Sequence, residues 1–260
     1  MNKSEKELAG KVALVTGGTK GIGKAIADKL AAEGATVIVT ARKPSEEKSG
    51  HHFIAADLTV SGDIYRLTQT IIQEYGTPDI LINNVGGTSS PAGGFQMLSE
   101  EDWSRDIELN LMASIRLDKA IVPKMIDKKS GSVIHISSLN GKIPLYQSNF
   151  SYGVMKSALN AYSKTLANEV AKHGIRVNTV SPGMVRTTAM ETFLQSYAQS
   201  IGKTVEEAAQ QIMDGLGGVP LKRLAEPEEI ASLVVFLVSE GAGYITGSNI
   251  LVDGGTFPAV

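Results

Sequence analysis

A tyrosine and a lysine stand four residues apart in the run Ser151-Tyr152-Gly153-Val154-Met155-Lys156. On a helix that spacing puts both on one face, one turn apart. A free phenol titrates at about 10, too high for efficient proton transfer near neutrality. A fixed ammonium beside it favours the phenolate, and lowering the pKa by about three units corresponds to roughly 4 kcal/mol of differential stabilisation. Such a pair has the makings of a general acid/base. Solvated Tyr–Lys pairs are common on helices, so the pair gains weight only from its company: a glycine-rich run near the N-terminus and a Ser-Ser upstream.

The glycine-rich run is Thr16-Gly17-Gly18-Thr19-Lys20-Gly21-Ile22-Gly23. It follows the apolar stretch Val12–Val15, which reads as a buried parallel strand. It precedes Lys24–Glu33, a strong helix former with apolar residues at 22, 26, 27 and 30. Strand, glycine turn and helix in that order make a phosphate cradle. Gly17 permits the tight turn, Gly21 and Gly23 allow close backbone approach, and the helix N-terminus presents free N–H groups and a positive dipole. Nucleotide binding is the expected function of this segment.

These residues need elements to position them. Strand-like runs cover Val12–Thr16, Thr36–Thr40, Phe53–Ala56, Ile80–Asn83, Ser132–Ser137, Arg176–Val180 and Asn249–Val252. Helix-like runs alternate with them at Gly21–Glu33, Ser61–Tyr75, Glu100–Met125, Ser151–Lys172 and Glu228–Ser239. Ser99 with Asp102 offers a capping box, and Pro227 suits a first helical turn. This alternation predicts one α/β domain over residues 1–260: a doubly wound parallel sheet of about seven strands with helices on both faces and right-handed crossovers. Ligands then bind beyond the C-terminal strand ends, where Thr16, Arg42, Asp57, Asn83, Ser138 and Pro182 fall. Thr188–Val219 has no strand. It reads as two amphipathic helices, the second capped by Thr204 and Glu207, that seal the core or serve as a substrate lid.

The composition narrows the classes. A net charge of −2 over 260 residues argues against a general nucleic-acid binder. There are no cysteines, so thiol catalysis and Cys-ligated zinc are excluded, and a cytoplasmic location fits. The charged Met1–Glu7 lacks an apolar core of a signal peptide, and residues 1–8 are expected to fray. No run is long enough to span a membrane, and no membrane partner is expected. The four histidines form no ligand cluster, so no metal is expected: His51-His52 enter a strand, His135 sits within one, and His173 before Gly174 is a helix C-terminal cation.

The residues now in view resemble the short-chain dehydrogenase/reductase family, in its compact, non-extended branch. The likeness rests on Thr16-Gly-x-x-x-Gly-x-Gly23, Asp57-Leu58, Asn83-Asn84-Val85-Gly86, Asn110, Ser137-Ser138, Tyr152-x-x-x-Lys156, Pro182-Gly183 and Asp253-Gly254-Gly255, in that order over nearly the whole chain. It implies a Rossmann-like single domain and an NAD(P)-dependent oxidoreductase of alcohols and carbonyls. It implies that Tyr152 exchanges a proton with the substrate oxygen and that Lys156 lowers the Tyr152 pKa and bonds the nicotinamide ribose. Ser138 would hold the substrate oxygen, and Asn110 would anchor a water linking Lys156 to solvent. Two O–H donors at that oxygen would stabilise the charge that grows there in the transition state. Cofactor contacts are implied for Gly17, Thr19, Lys20, Gly21, Ile22, Gly23, Arg42, Asp57, Leu58, Asn84, Gly86, Tyr152, Lys156, Pro182, Gly183, Val185 and Thr187. Two features depart from the pattern. Val85 replaces the usual alanine, and the Ser138-to-Tyr152 separation of 14 is one longer than in many relatives, which leaves Ser137 as the other candidate hydroxyl. Strand alternation lets only one of the two face the site, and the family pattern favours Ser138.

Ribose recognition falls near the end of the second strand. There the chain has Thr40-Ala41-Arg42-Lys43 and no acid, with Lys20 in the glycine run near the same place. A 2′-phosphate suits an Arg fork and a Lys point charge, so the cofactor is expected to be NADP(H). Pocket residues are expected in Gly87–Gly94, Leu139–Gln147, Met184 and the lid, mostly apolar or neutral apart from Lys142 and Arg186. A medium-sized neutral ketone or secondary alcohol fits them. A 3-oxoacyl thioester on a carrier protein is the alternative, and a non-catalytic NADP(H)-binding sensor is the alternative of another class. Surplus apolar positions on Glu100–Met125 and Ser151–Lys172 (Leu109, Leu111, Met112, Ile115, Ala158, Leu159, Tyr162 and Leu166) and the family's habit of pairing these helices imply a homo-oligomer, a tetramer ahead of a dimer.

Overall fold

A computed structural model of the chain describes residues 6–45, 49–145 and 148–259. Strands β1 (Val12–Thr16), β2 (Thr36–Ala41), β3 (His52–Ala55), β4 (Ile80–Asn83), β5 (Gly131–Ile136), β6 (Ile175–Pro182) and β7 (Asn249–Val252) form one parallel sheet in the order β3-β2-β1-β4-β5-β6-β7. Between them run α1 (Gly21–Ala32), α2 (Ser61–Tyr75), α3 (Glu100–Ile107), α4 (Ala113–Lys128), α5 (Phe150–Val170), the pair α6 (Thr188–Ile201) and α7 (Val205–Gly215), and α8 (Pro227–Val238). The strand order reverses between β1 and β4, which opens a crevice above their C-terminal ends.

Period-two alternation sorts the strand residues onto two faces. Ala13, Val15, Val37, Val39, Ile80, Ile82, Ile134 and Ile136 pack with Ile26 and Leu30 of α1 and with Val234 and Leu237 of α8. Leu14, Ile38, Leu81 and Val133 point the other way, onto Leu67 and Ile71 of α2, Leu117 and Ile121 of α4 and Ala167 and Val170 of α5. Because both faces are covered, the strands read as continuous apolar runs rather than alternating ones.

Four sequence expectations change. The single helix expected over Glu100–Met125 is broken by a wide π-type turn, Glu108–Met112, between α3 and α4. Such turns insert one extra residue per turn and commonly mark functional sites; this one carries Asn110. Of the N-terminal stretch expected to fray, residues 1–5 lie outside the described residues, but Leu8 is buried in the α1 face of the core and its N–H bonds Glu33 O at 2.9 Å. Strand β6 runs on to Pro182, where it pairs with Val252 of β7. Leu159 belongs to the protomer's own interior at 1 % exposure, not to a surplus apolar face. Other local signals stand as read. Ser99 and Asp102 close a capping box on α3, Thr204 and Glu207 close one on α7, and Pro227 lies in the first turn of α8.

Candidate active site

A cleft of about 880 Å³ lies over the C-terminal ends of the central strands. Thr16 ties its floor together. Its hydroxyl accepts from Asn84 N at 2.8 Å and Val85 N at 3.0 Å and donates to Ile82 O at 3.2 Å, while Asn84 Nδ2 donates to Thr16 O at 2.9 Å. The β1 turn and the β4 turn are thus locked to one another. Gly23 must be glycine for space: a Cβ there would lie 2.3 Å from Gly17 O. Helix α1 begins at this turn with no side-chain cap and no acid in its first turn, so its N-terminal N–H groups are left for a ligand's anionic group.

The cleft wall includes Gly17, Thr19, Lys20, Gly21, Ile22, Gly23, Arg42, Asp57, Leu58, Asn84, Gly86, Tyr152, Lys156 and Thr187 of the residues expected from the sequence. Lys20 and Arg42 are exposed on it, and Lys43 is not part of it. Asp57 does not cap α2. It accepts from Thr59 N at 3.0 Å and Thr59 Oγ1 at 2.7 Å, and these bonds, with Arg42 nearby, hold its carboxyl below the usual range. Pro182, Gly183 and Val185 do not line the cleft. Pro182 and Val185 are buried, and Gly183 packs so closely on Asp253 that a Cβ would lie 2.9 Å from its Cα.

At the far end the candidate catalytic groups converge. The Lys156 ammonium lies 5.6 Å from the centre of the Tyr152 ring and donates to Ile136 O at 2.9 Å. The Ser138 hydroxyl is hydrogen-bonded to Tyr152 and accepts from Asn140 N at 3.2 Å. Ser137, and not Ser138, is among the residues that line the cleft, but it is buried and its Oγ is spent in donating to Lys156 O at 3.2 Å. Of the two serines, Ser138 is therefore the one beside Tyr152. Asn110 is fully buried; its Oδ1 accepts from Gly87 N and its Nδ2 donates to Gly87 O, both at 2.8 Å, and to Asp106 O at 3.1 Å. Three of its four hydrogen-bonding positions are taken, which leaves one lone pair. Gly86 sits between: a Cβ on it would lie 2.9 Å from Lys156 Nζ and 3.1 Å from Asn110 Oδ1.

The electrostatics differ from the simple sequence expectation. Burial pushes Tyr152 up; the Ser138 bond pulls it down and the charge of Asp106 pushes it further up. Burial likewise pushes Lys156 down, to about 8. Lys156 stands over the ring rather than at the hydroxyl, and the same dry surroundings disfavour the charged form of both groups.

The sequence reading missed several site residues. Thr40, Thr59, Val85, Arg105, Glu108, Leu109, Thr188 and Ala189 also line the cleft. Of the expected Gly87–Gly94 pocket segment only Gly87, Thr88 and Ser89 do so; of Leu139–Gln147, Tyr146 and Gln147 lie outside the described residues. Arg186 is paired with Glu226 at 3.0 Å. Asp106 was also missed, though its place one turn before Asn110 was a readable signal. His135 lies in β5, as read, fully buried between Asp118 Oδ2 at 2.9 Å and Ser163 Oγ at 3.0 Å.

Known proteins of similar sequence and fold identify the family. A family model described as enoyl-(acyl carrier protein) reductase matches residues 17–256. The 3-oxoacyl-(acyl-carrier-protein) reductase of Vibrio cholerae is 37% identical over 257 residues, covering 96% of this chain and 98% of that protein. Human dehydrogenase/reductase SDR family member 4 is 36% identical over 260 residues, covering 96% of this chain and 88% of that protein. The crystal structure of L-sorbose reductase from Gluconobacter frateurii, complexed with NADPH and L-sorbose, superposes with a TM-score of 0.90 at 34% identity, over 98% of this chain and 100% of that one. The chain belongs to the short-chain dehydrogenase/reductase family. It is an oxidoreductase acting on alcohol and carbonyl groups.

Proposed function

We propose that this enzyme interconverts a ketone and a secondary alcohol with NADP(H), and that Tyr152 carries the proton. The observation that carries the reading is that Tyr152 and Lys156 line a glycine-floored cleft that also bears Arg42 and Lys20, with Ser138 bonded to Tyr152 and Asn110 packed behind Gly86 beside Lys156. The uncapped N-terminus of α1 suits a pyrophosphate, and the Arg42 and Lys20 cations suit a 2′-phosphate. Bound NADPH supplies the hydride that reduces the carbonyl carbon. Tyr152 donates its proton to the carbonyl oxygen, and the Ser138 hydroxyl donates a hydrogen bond to the same oxygen, so both act where negative charge develops. Lys156 holds a positive charge beneath them. Asn110 clamps the backbone of Gly87 on both sides and keeps one lone pair for a water on the route from Lys156 to solvent.

The substrate is a medium-sized neutral ketone or its alcohol. At the rim, Arg105 is paired with Asp102 and Arg186 with Glu226, so neither is a free clamp for an anionic substrate. A 3-oxoacyl thioester is the second reading, favoured by the likeness to the Vibrio cholerae enzyme. Helices α6 and α7 act as the substrate lid, and the enzyme works as a cytoplasmic homo-oligomer, a tetramer ahead of a dimer. NADPH consumption over a panel of ketones and 3-oxoacyl thioesters tests the reading. Tyr152→Phe should lower kcat by about 10²–10⁴ with little change in NADPH affinity. A variant keeping more than about a tenth of parent kcat removes Tyr152 from the proton-donor role, and NADPH binding without turnover anywhere on the panel would indicate a sensor.

A further inference from the structure

Asp106 lies in the last turn of α3, one turn before Asn110, and is 1 % exposed. A carboxylate this far from water is costly unless hydrogen bonds compensate. One oxygen, Oδ2, accepts from three hydroxyls: Ser151 in the first turn of α5, Ser90 at 2.9 Å and Thr88 at 3.3 Å. The other oxygen, Oδ1, is equally shielded from water and has no hydrogen-bond partner among the described residues. The backbone carbonyl of the same residue accepts from Asn110 Nδ2. Asp106 therefore touches three of the segments that carry the proposed chemistry: the loop after β4, the wide turn bearing Asn110, and the helix turn in which Ser151 precedes Tyr152. An apolar residue would fill such a place without a half-satisfied charge, so packing alone does not account for it.

We propose that Asp106 is a positioning residue for the reaction: it holds the loop through Ser90 and the first turn of α5 in register with Asn110, and its charge sets the electrostatic field at the Tyr152 hydroxyl. The inference rests on the reading of Tyr152 as proton carrier. The carboxylate pushes the Tyr152 pKa up, with burial and against the Ser138 bond. The other charged groups around the phenol are Lys156 on its own helix and, along the cleft wall, Arg105 paired with Asp102 and Glu108 paired with Arg116. A negative charge here raises the cost of forming the phenolate, the base that alcohol oxidation needs, and so moves the pH dependence of oxidation upward.

Asp106→Asn keeps the shape and removes the charge. Two readouts follow the phenol: the pH dependence of alcohol oxidation, and the alkaline tyrosinate absorbance of the protein without cofactor, each taken against Tyr152→Phe. Both midpoints should fall by about half a unit or more in Asp106→Asn, with kcat for reduction down about tenfold and KM for NADPH within about twofold, an interaction made with the reacting end alone. A variant that titrates as the parent does overturns the proposal, even if it melts earlier, because a purely structural role moves the melting temperature and not the midpoint. If Asp106→Asn does not fold, Ser151→Ala carries the test, with kcat expected to fall at least about threefold at unchanged NADPH KM; parent-like kcat overturns it. Should Tyr152→Phe stay active, the fault lies in the reading of Tyr152, and the absorbance titration, which needs no turnover, still decides Asp106.

Discussion

Arg42 and Lys20 stand on the cleft wall at the end of the second strand, where the sequence offers no acid. A guanidinium recognises a 2′-phosphate by its fork and gains nothing from a 2′-hydroxyl. NADPH should therefore exceed NADH in kcat/KM by about tenfold to a thousandfold, about 1.4 to 4 kcal/mol. Arg42→Asp should shrink or reverse that ratio; equal efficiency with both cofactors in the parent enzyme argues against the assignment. Lys156 makes a second prediction. Its folded pKa is about 8 against an ordinary 10.5, so between those values the unfolded chain binds more protons and this group's contribution to stability rises with pH. Lys156→Met should remove that rise. The variant should be more stable relative to the parent at pH 7 than at pH 10.5, by at most about 3 kcal/mol, in urea unfolding at the two pH values. A stability difference that does not change with pH would mean that Lys156 is not desolvated.

At the level of elements, α6 and α7 form a pair with a small interior of their own, Leu194, Met213 and Leu224, set apart from the two main faces of the sheet. The pair joins the cleft only at its base, where Thr187, Thr188 and Ala189 line the wall. Leu194 serves this interior, whereas Phe193 is half exposed and stacks on Tyr197 with ring centres 6.1 Å apart. An element with few contacts to the main core opens at low free energy, as a lid must. Amides of α6 and α7 should exchange faster in the free enzyme than in the ternary complex; equal protection in both would make the pair a fixed part of the core. Phe193→Ala removes little buried surface and should leave stability nearly unchanged. It should raise KM for a bulky ketone more than it lowers kcat, which steady-state kinetics would show.

For the whole molecule, the half-buried Met112, Ile115 and Ala158 lie on the wide turn, α4 and α5 outside the core clusters, whereas Leu166 packs on the core and Tyr162 on His135. A two-fold axis would let the same patch on a second chain cover Met112, Ile115 and Ala158. Sedimentation at micromolar concentration should show a species about four times the 27.5 kDa of one chain; a monomer would refute the assembly. Among the described residues no helix is long and apolar enough to cross a membrane.

What the sequence by itself determined is local or periodic. Buried parallel strands must be apolar throughout, so β1 and β4 were readable to the residue; the half-buried edge strand β7 was read to the residue as well, and the other strands nearly so. Capping boxes are written in neighbouring residues, and the glycine turn announces itself because only glycine tolerates the approach of Gly17 O to position 23. Once the strands were ordered, residues at their ends had to meet at one edge, which brought Thr16, Arg42, Asp57 and Ser138 together. The tertiary structure decided the rest, because it turns on long-range packing. The wide turn at Glu108–Met112 aims Asn110 at Gly87, 23 positions away, and no helical periodicity records that contact. Ser137 and Ser138 look alike in sequence, and the bond from Ser137 to the backbone of α5 tells them apart. Leu8 is held by α1 and the core around it rather than by its own neighbours. The protonation of Tyr152 and Lys156 depends on how much water the surrounding elements exclude. Spacing alone predicts an ammonium that helps a phenol ionise; burial instead pushes both toward their neutral forms.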